Sequence, residues 1–142
     1  MTRGRAFRAM LVGLCVTCTG GCESDTSPSD IEVGGSWTGT WQFVTGGVTV
    51  TDTATATLTQ NGANAAGTWT AASGPTGDLS FTVGESISGT LTITQTTITG
   101  QSCTATTTLA GTASSTALDF TATVTPTGAC QFATSNQFSW RR

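Results

Sequence analysis

Residues 48–59 read VTVTDTATATLT, and this stretch decides the fold. Val48, Val50, Ala54, Ala56 and Leu58 alternate with Thr49, Thr51, Thr53, Thr55, Thr57 and Thr59. A period of two is that of a strand with one buried face and one wet face, because successive side chains point to opposite sides of a pleated chain. Here the wet face is a ladder of threonines, a β-branched type that packs well on such a surface. Asp52 alone breaks the pattern: it lies in register with Val50 and Ala54 on the apolar face. It is therefore a bulge, a strand end, or an interior polar group needing Arg141, Arg142 or a threonine hydroxyl as partner.

The same alternation continues on both sides, in Trp37, Gly39, Trp41 and Phe43, in Leu91 and Ile93, in Leu118, Phe120, Ala122 and Val124, and in Phe138 and Trp140. Turn formers punctuate it: Gly46–Gly47, Asn61–Gly62, Gly74–Pro75, Gly84, Gly100, Ser114–Ser115 and 126–128. The rhythm predicts strands over about 36–44, 47–59, 63–72, 78–83, 86–95, 101–110, 116–125 and 129–141. Asn61–Gly62 reads as a type I′ hairpin turn. Nothing after residue 20 reads as a helix.

A Gly-Thr pair recurs within these runs at Gly39, Gly67, Gly89 and Gly111. Glycine weakens a strand, so its repeated placement marks bends, bulges or close backbone approach, which a closing sheet requires. Consecutive hairpins without a long crossover predict a single antiparallel up-and-down barrel of about eight strands over 35–142, its first and last strands meeting through Trp37, Trp41, Phe138 and Trp140. The alternative is a β-sandwich; no Trp lies between Cys103 and Cys130 to form the core that an immunoglobulin-like disulfide brackets.

Only 9% of the 142 residues are charged, about one in four is Thr, and there is no Lys or His. Arg3, Arg5 and Arg8 precede an apolar run over 9–17, while all eight carboxylates follow it. From Cys22 onward two arginines face eight acids, a net charge of −6. Such a surface lacks the cations that a phosphate backbone requires, which argues against nucleic acid as a partner. The run over 9–17 is too short for a permanent membrane span and reads as the core of a signal peptide covering residues 1–21.

Gly20, Gly21 and Cys22 close that segment, and here the chain resembles bacterial lipoproteins, whose signal peptidase cuts before a lipidated Cys preceded by small residues. Thr19 stands where the family prefers a Leu-like residue. The resemblance implies lipidation of Cys22, a membrane anchor and a place in the bacterial cell envelope. Glu23 is not the Asp that favours inner-membrane retention in that family, so outer-membrane delivery is expected. Residues 22–34, polar and acidic with Pro28, read as the lipidated Cys and a flexible linker.

The domain itself resembles small lipocalin-like or calycin-type barrels, and its SWTGTW opening (residues 36–41) is similar to the first strand of avidin-like barrels. The polar set with which avidins hold biotin has no counterpart here. With Cys15 and Cys18 removed in the signal and Cys22 lipidated, Cys103 and Cys130 remain to pair in an oxidising compartment. Two thiols without any His leave a zinc ion short of ligands, so no metal and no cofactor are expected. Without His or Lys there is no serine-type triad or Schiff-base lysine; of Asp52, Asp78, Glu85 and Asp119, three stand near predicted turns or strand ends, and the set reads as solvated acids rather than a glycosidase pair.

Trp37, Trp41, Trp69, Phe120 and Trp140 are candidates for core packing or for a ligand pocket. Small inward residues, Ala54, Ala56, Ala122 and Gly39, leave room for a cavity. The sequence thus implies a non-catalytic envelope lipoprotein acting as a structural or protein-interaction module. The rival is a lipocalin-like binder of a small apolar ligand inside the barrel. A transmembrane barrel fits poorly, since the outward face is threonine rather than lipid-compatible.

Overall fold

The computed structural model describes residues 30–126 and 130–142. Eight antiparallel strands follow one another around a closed barrel: β1 (Gly35–Thr45), β2 (Val48–Asn61), β3 (Asn64–Ala71), β4 (Thr76–Thr82), β5 (Ser86–Thr96), β6 (Ser102–Ala113), β7 (Ala117–Thr123) and β8 (Ser135–Arg141). Each strand pairs with its successor, and β8 returns to β1 with Gly39 opposite Trp140 and Trp41 opposite Phe138. The sandwich alternative is excluded by this closure. The signal segment, Cys22 and the linker to residue 29 lie outside the described residues.

Outward residues form hydroxyl rows running across strands. Thr38, Thr55, Thr70, Thr76, Thr94 and Thr104 stand side by side on six consecutive strands. Neighbours in such rows bond to each other, as in Thr94–Thr104 (2.9 Å) and Ser80–Thr90 (3.0 Å). A hydroxyl can donate and accept at once, so a threonine row needs no counter-charge to be satisfied.

The glycine repeat is explained by the inward face. A Cβ on Gly39, Gly67, Gly89 or Gly111 would lie 1.9–2.1 Å from a carbonyl oxygen of the adjacent strand. Each glycine sits opposite a large inward residue: Trp140, Leu58, Phe81 and Phe120 respectively. The missing side chain lets the neighbouring backbone press in while its partner's bulk fills the lumen. This close approach, one of the three options the repeat left open, allows a narrow barrel to coil.

The lumen is a packed core. Trp37, Trp69, Trp140, Phe120 and Phe138 are all at most 2% exposed. Phe138 stacks on Phe120 (4.7 Å, 13°) and meets Trp69 edge to face (5.1 Å, 78°), which aromatic quadrupoles favour. The small residues do not leave the cavity their size suggested. Ala56 lies in register between Trp37 and Trp69, so small and large side chains interdigitate.

Strand bounds fall within three residues of the sequence reading except at the start of the last strand, and the turn assignments differ in detail. The two-residue turn between β2 and β3 is Gly62–Ala63, with Asn61 opposite Asn64; Gly62 (φ 59°) supplies the positive φ that both primed turns need at their first central position. The type I′ pattern of two positive angles instead belongs to Gly46 (56°) and Gly47 (79°) between β1 and β2. The last strand begins at Ser135, not 129: among the described residues before it, Cys130 is tied to Cys103 and Phe132 packs into the core instead of continuing the strand.

The two ends are built differently. At one, the entry pole, the packed part of the chain begins before β1: Ile31 (8% exposed) and Val33 (0%) belong to the core. Val33 N–H donates to Gln60 Oε1 (2.6 Å), Gln60 Nε2 donates to Ile31 O (2.9 Å), and Trp37 Nε1 donates to Val33 O (2.8 Å). The Arg142 guanidinium donates to the carbonyls of Glu32, Gly34 and Ser115 and lies 5.0 Å over the Trp37 ring. The domain therefore starts at about Ile31 rather than at residue 35; Ile31 and Val33 supply apolar surface that a polar linker lacks.

Candidate functional site

The opposite end, the mouth, is made by the turns at 46–47, 72–75 and 97–101 and by residues 124–126 and 130–134. Here β6 outruns β7, whose pairing with it covers only Leu109–Ala113. Ser102–Thr108 thus lacks strand partners on that edge, although the Thr107 hydroxyl reaches Thr123 O (2.6 Å). Residues 124–126 and 130–134 lie beside this gap, tied together by Val124 N–H to Thr134 O (2.9 Å). Cys130 is disulfide-bonded to Cys103, with Cα atoms 5.8 Å apart, which clips this flap to the free edge. Gln95 Nε2 adds a bond to Gln131 O (2.7 Å), and Phe132 turns inward.

Beneath this flap lies a cavity of about 180 Å³. Trp41, Phe43, Ile93 and Phe132 supply apolar wall, and Gln95, Gln131, Asn136, Ser73 and Thr45 supply polar groups. Phe43, half-buried, covers Trp41 with ring centroids 4.3 Å apart. Asn136, at 1% exposure the buried polar side chain of the core, accepts from Trp41 Nε1 (3.1 Å) and donates to Ala133 O (2.9 Å) and Ala122 O (3.4 Å). It locks strand, flap and indole together. Two broader depressions of about 430 and 400 Å³ lie on the outer wall between β2 and β5. They are open grooves over short Ala66 and Ser80.

Asp52 lies at the mouth opposite Trp41, at a rim rather than inside the lumen. Its carboxylate accepts from the amides of Thr53 (2.8 Å) and Ser73 (2.9 Å), not from either arginine, which are at the other pole. The Ser73 hydroxyl and these amides hold its pKa below the ordinary 3.8. Asp52 therefore fastens the 72–75 turn. Burial would push Asp119 up, but the Ser139 hydroxyl and Arg141, 3.0 Å away, outweigh it and lower its pKa.

Of the five aromatic candidates, only Trp41 borders the cavity. Trp37, Trp69, Phe120 and Trp140 are core. Trp69 Nε1 donates to Thr92 O (3.0 Å), while Trp140 Nε1 is buried without a partner among T-shaped contacts to Phe120 and Phe138. Sequence reasoning missed Phe43, Gln95, Gln131 and Asn136 as a group. They come from three strands and the flap, and only the inward parity of Phe43 and Asn136 hinted at them. Among the described residues no three metal-ligating side chains converge. No family model, curated protein or solved structure matches the chain.

Proposed function

We propose that the chain is an exported lipoprotein of the bacterial cell envelope, anchored through Cys22 in the outer membrane, whose barrel is a non-catalytic interaction module. The polarity of the barrel carries this reading. The chain reaches the barrel from its N-terminal side at the entry pole, where Ile31 and Val33 dock. Among the described residues the exposed large apolar side chains are Val44 and Val48, on the strand ends beside the 46–47 turn, and Ile98, in the 97–101 turn, all at the opposite end. An anchor at Cys22 would therefore hold the entry pole toward the lipid and present the mouth to partners in the envelope. The dispersal of Asp52, Asp78, Glu85 and Asp119 supports a role without catalysis, since no two are held together as an acid–base pair.

The rival, a small apolar ligand inside the barrel, has less behind it. The lumen is filled, and the mouth cavity of about 180 Å³ falls below the roughly 300 Å³ at which ligand pockets usually begin. The test is expression of the full chain in bacteria with labelled palmitate. Label on the wild type but not on Cys22→Ala, with precursor accumulating under globomycin, is expected. An unlabelled wild type that matures normally would remove the anchor from the proposal.

A further inference from the structure

We propose that the mouth cavity is a binding site for one uncharged sugar ring, such as the terminal residue of a glycan. Its size comes first: about 180 Å³ suits a single substituted six-membered ring and is too little for a lipid or a drug-sized molecule. Its chemistry comes second. The wall pairs an aromatic platform, Phe43 backed by Trp41, with the side-chain amides of Gln95 and Gln131 and the hydroxyls of Thr45 and Ser73.

An amide offers a donor and an acceptor side by side, the pattern that neighbouring ring hydroxyls present in reverse. The C–H face of a sugar ring is weakly positive and suits the negative face of an aromatic ring. A purely apolar ring would fill the space but cover the Gln95 amide oxygen and its remaining N–H, the other N–H donating to Gln131 O, without offering them partners. A charged sugar finds no counter-charge, because no charged residue lines the cavity and the adjacent Asp52 carboxylate is engaged by Thr53 and Ser73.

The site is also preorganised. The disulfide holds Gln131 and Phe132 over the cavity through Cys130, and Asn136 fixes the Trp41 indole. A rim that does not need ordering on binding lets a small ligand keep its modest binding energy. This inference goes beyond the envelope reading and does not depend on lipidation of Cys22.

The test is nuclear magnetic resonance of the isotope-labelled full chain titrated with glucose, N-acetylglucosamine, glucuronate and indole. Expected are saturable shifts of the Trp41 indole N–H and of the Gln95 and Gln131 side-chain amides with a neutral sugar. A dissociation constant on the order of 1 mM suits a ligand of this size. Glucuronate should bind at least about tenfold more weakly. Phe43→Ala and the exposed Gln131→Ala should each weaken binding about tenfold, the latter without changing the melting temperature. Binding of indole without sugar, sugar shifts confined to the threonine wall, or no shifts up to about 100 mM of either neutral sugar would each overturn the proposal.

Discussion

The two ends of this barrel solve one problem in opposite ways. A barrel of eight strands leaves an open rim at each end, and its aromatic core must be kept from water there. At the entry pole the chain seals the rim with its own approach: Val33 is wholly buried, Gln60 bonds the arriving backbone, and Arg142 clasps three carbonyls. At the mouth the seal is a loop held by a disulfide, and it leaves about 180 Å³ unfilled. The entry pole is built for closure, the mouth for access.

That contrast is open to attack from several sides. The largest effect belongs to what both poles share. Phe138→Ala removes a fully buried ring that touches Trp41, Trp69, Phe120 and Trp140, and should cost about 3–5 kcal/mol in chemical denaturation. Amide exchange should rise at both ends alike; a rise at one pole alone would mean that the poles do not share a core. Replacing Cys103 and Cys130 together by Ser opens a loop with a sequence separation of 27 and should cost about 3.6 kcal/mol in the chain-entropy model. Exchange should quicken at Val124, residues 130–134 and β6 and leave Val33 protected.

Arg142→Ala is the mirror experiment. It should cost about 1–2 kcal/mol, from a stacked cation and three carbonyl contacts at a partly exposed site, and should release the Val33 and Trp37 N–H protons to exchange while the mouth stays protected. The smallest effect is that of pH. Asp52 and Asp119 both titrate below the ordinary 3.8, so each contributes stability that is present above about pH 4 and lost as pH falls through its lowered value. Thermal melts between pH 7 and pH 2 should drop only below about pH 4, and Asp52→Asn should flatten part of that drop.

Sequence alone carried the shared barrel much further than it carried either pole. Alternation in 48–59 reports directly on burial, and the glycine pairs marked close approach before any neighbour was known. What it could not carry is pairing at the rims. Asp52 stayed open between a bulge, a strand end and an interior acid because parity says which face a residue takes but not how far along the barrel it lies. Residues 129–134 looked like strand for a related reason: Phe132 has inward parity, yet its backbone pairs with no strand. The linker reading of Ile31 and Val33 failed on composition, since two apolar residues among acids carry little signal until Gln60 and Trp37 supply their partners. The cavity was least legible, being assembled from groups distant in sequence.

The seam has a consequence for how the barrel comes into being. Every strand pair joins chain neighbours except β1 with β8, whose partners Trp41 and Phe138 stand almost a hundred residues apart. Hairpins with short turns form early because little chain entropy is lost in closing them, whereas the seam must wait until the whole meander is in place. Thr40→Ala, on the outer face of the seam, should therefore quicken unfolding and leave the folding rate unchanged; a slowed folding rate would place the seam in the nucleus instead. Until Phe138 arrives, β1 offers a bare edge to any other chain nearby.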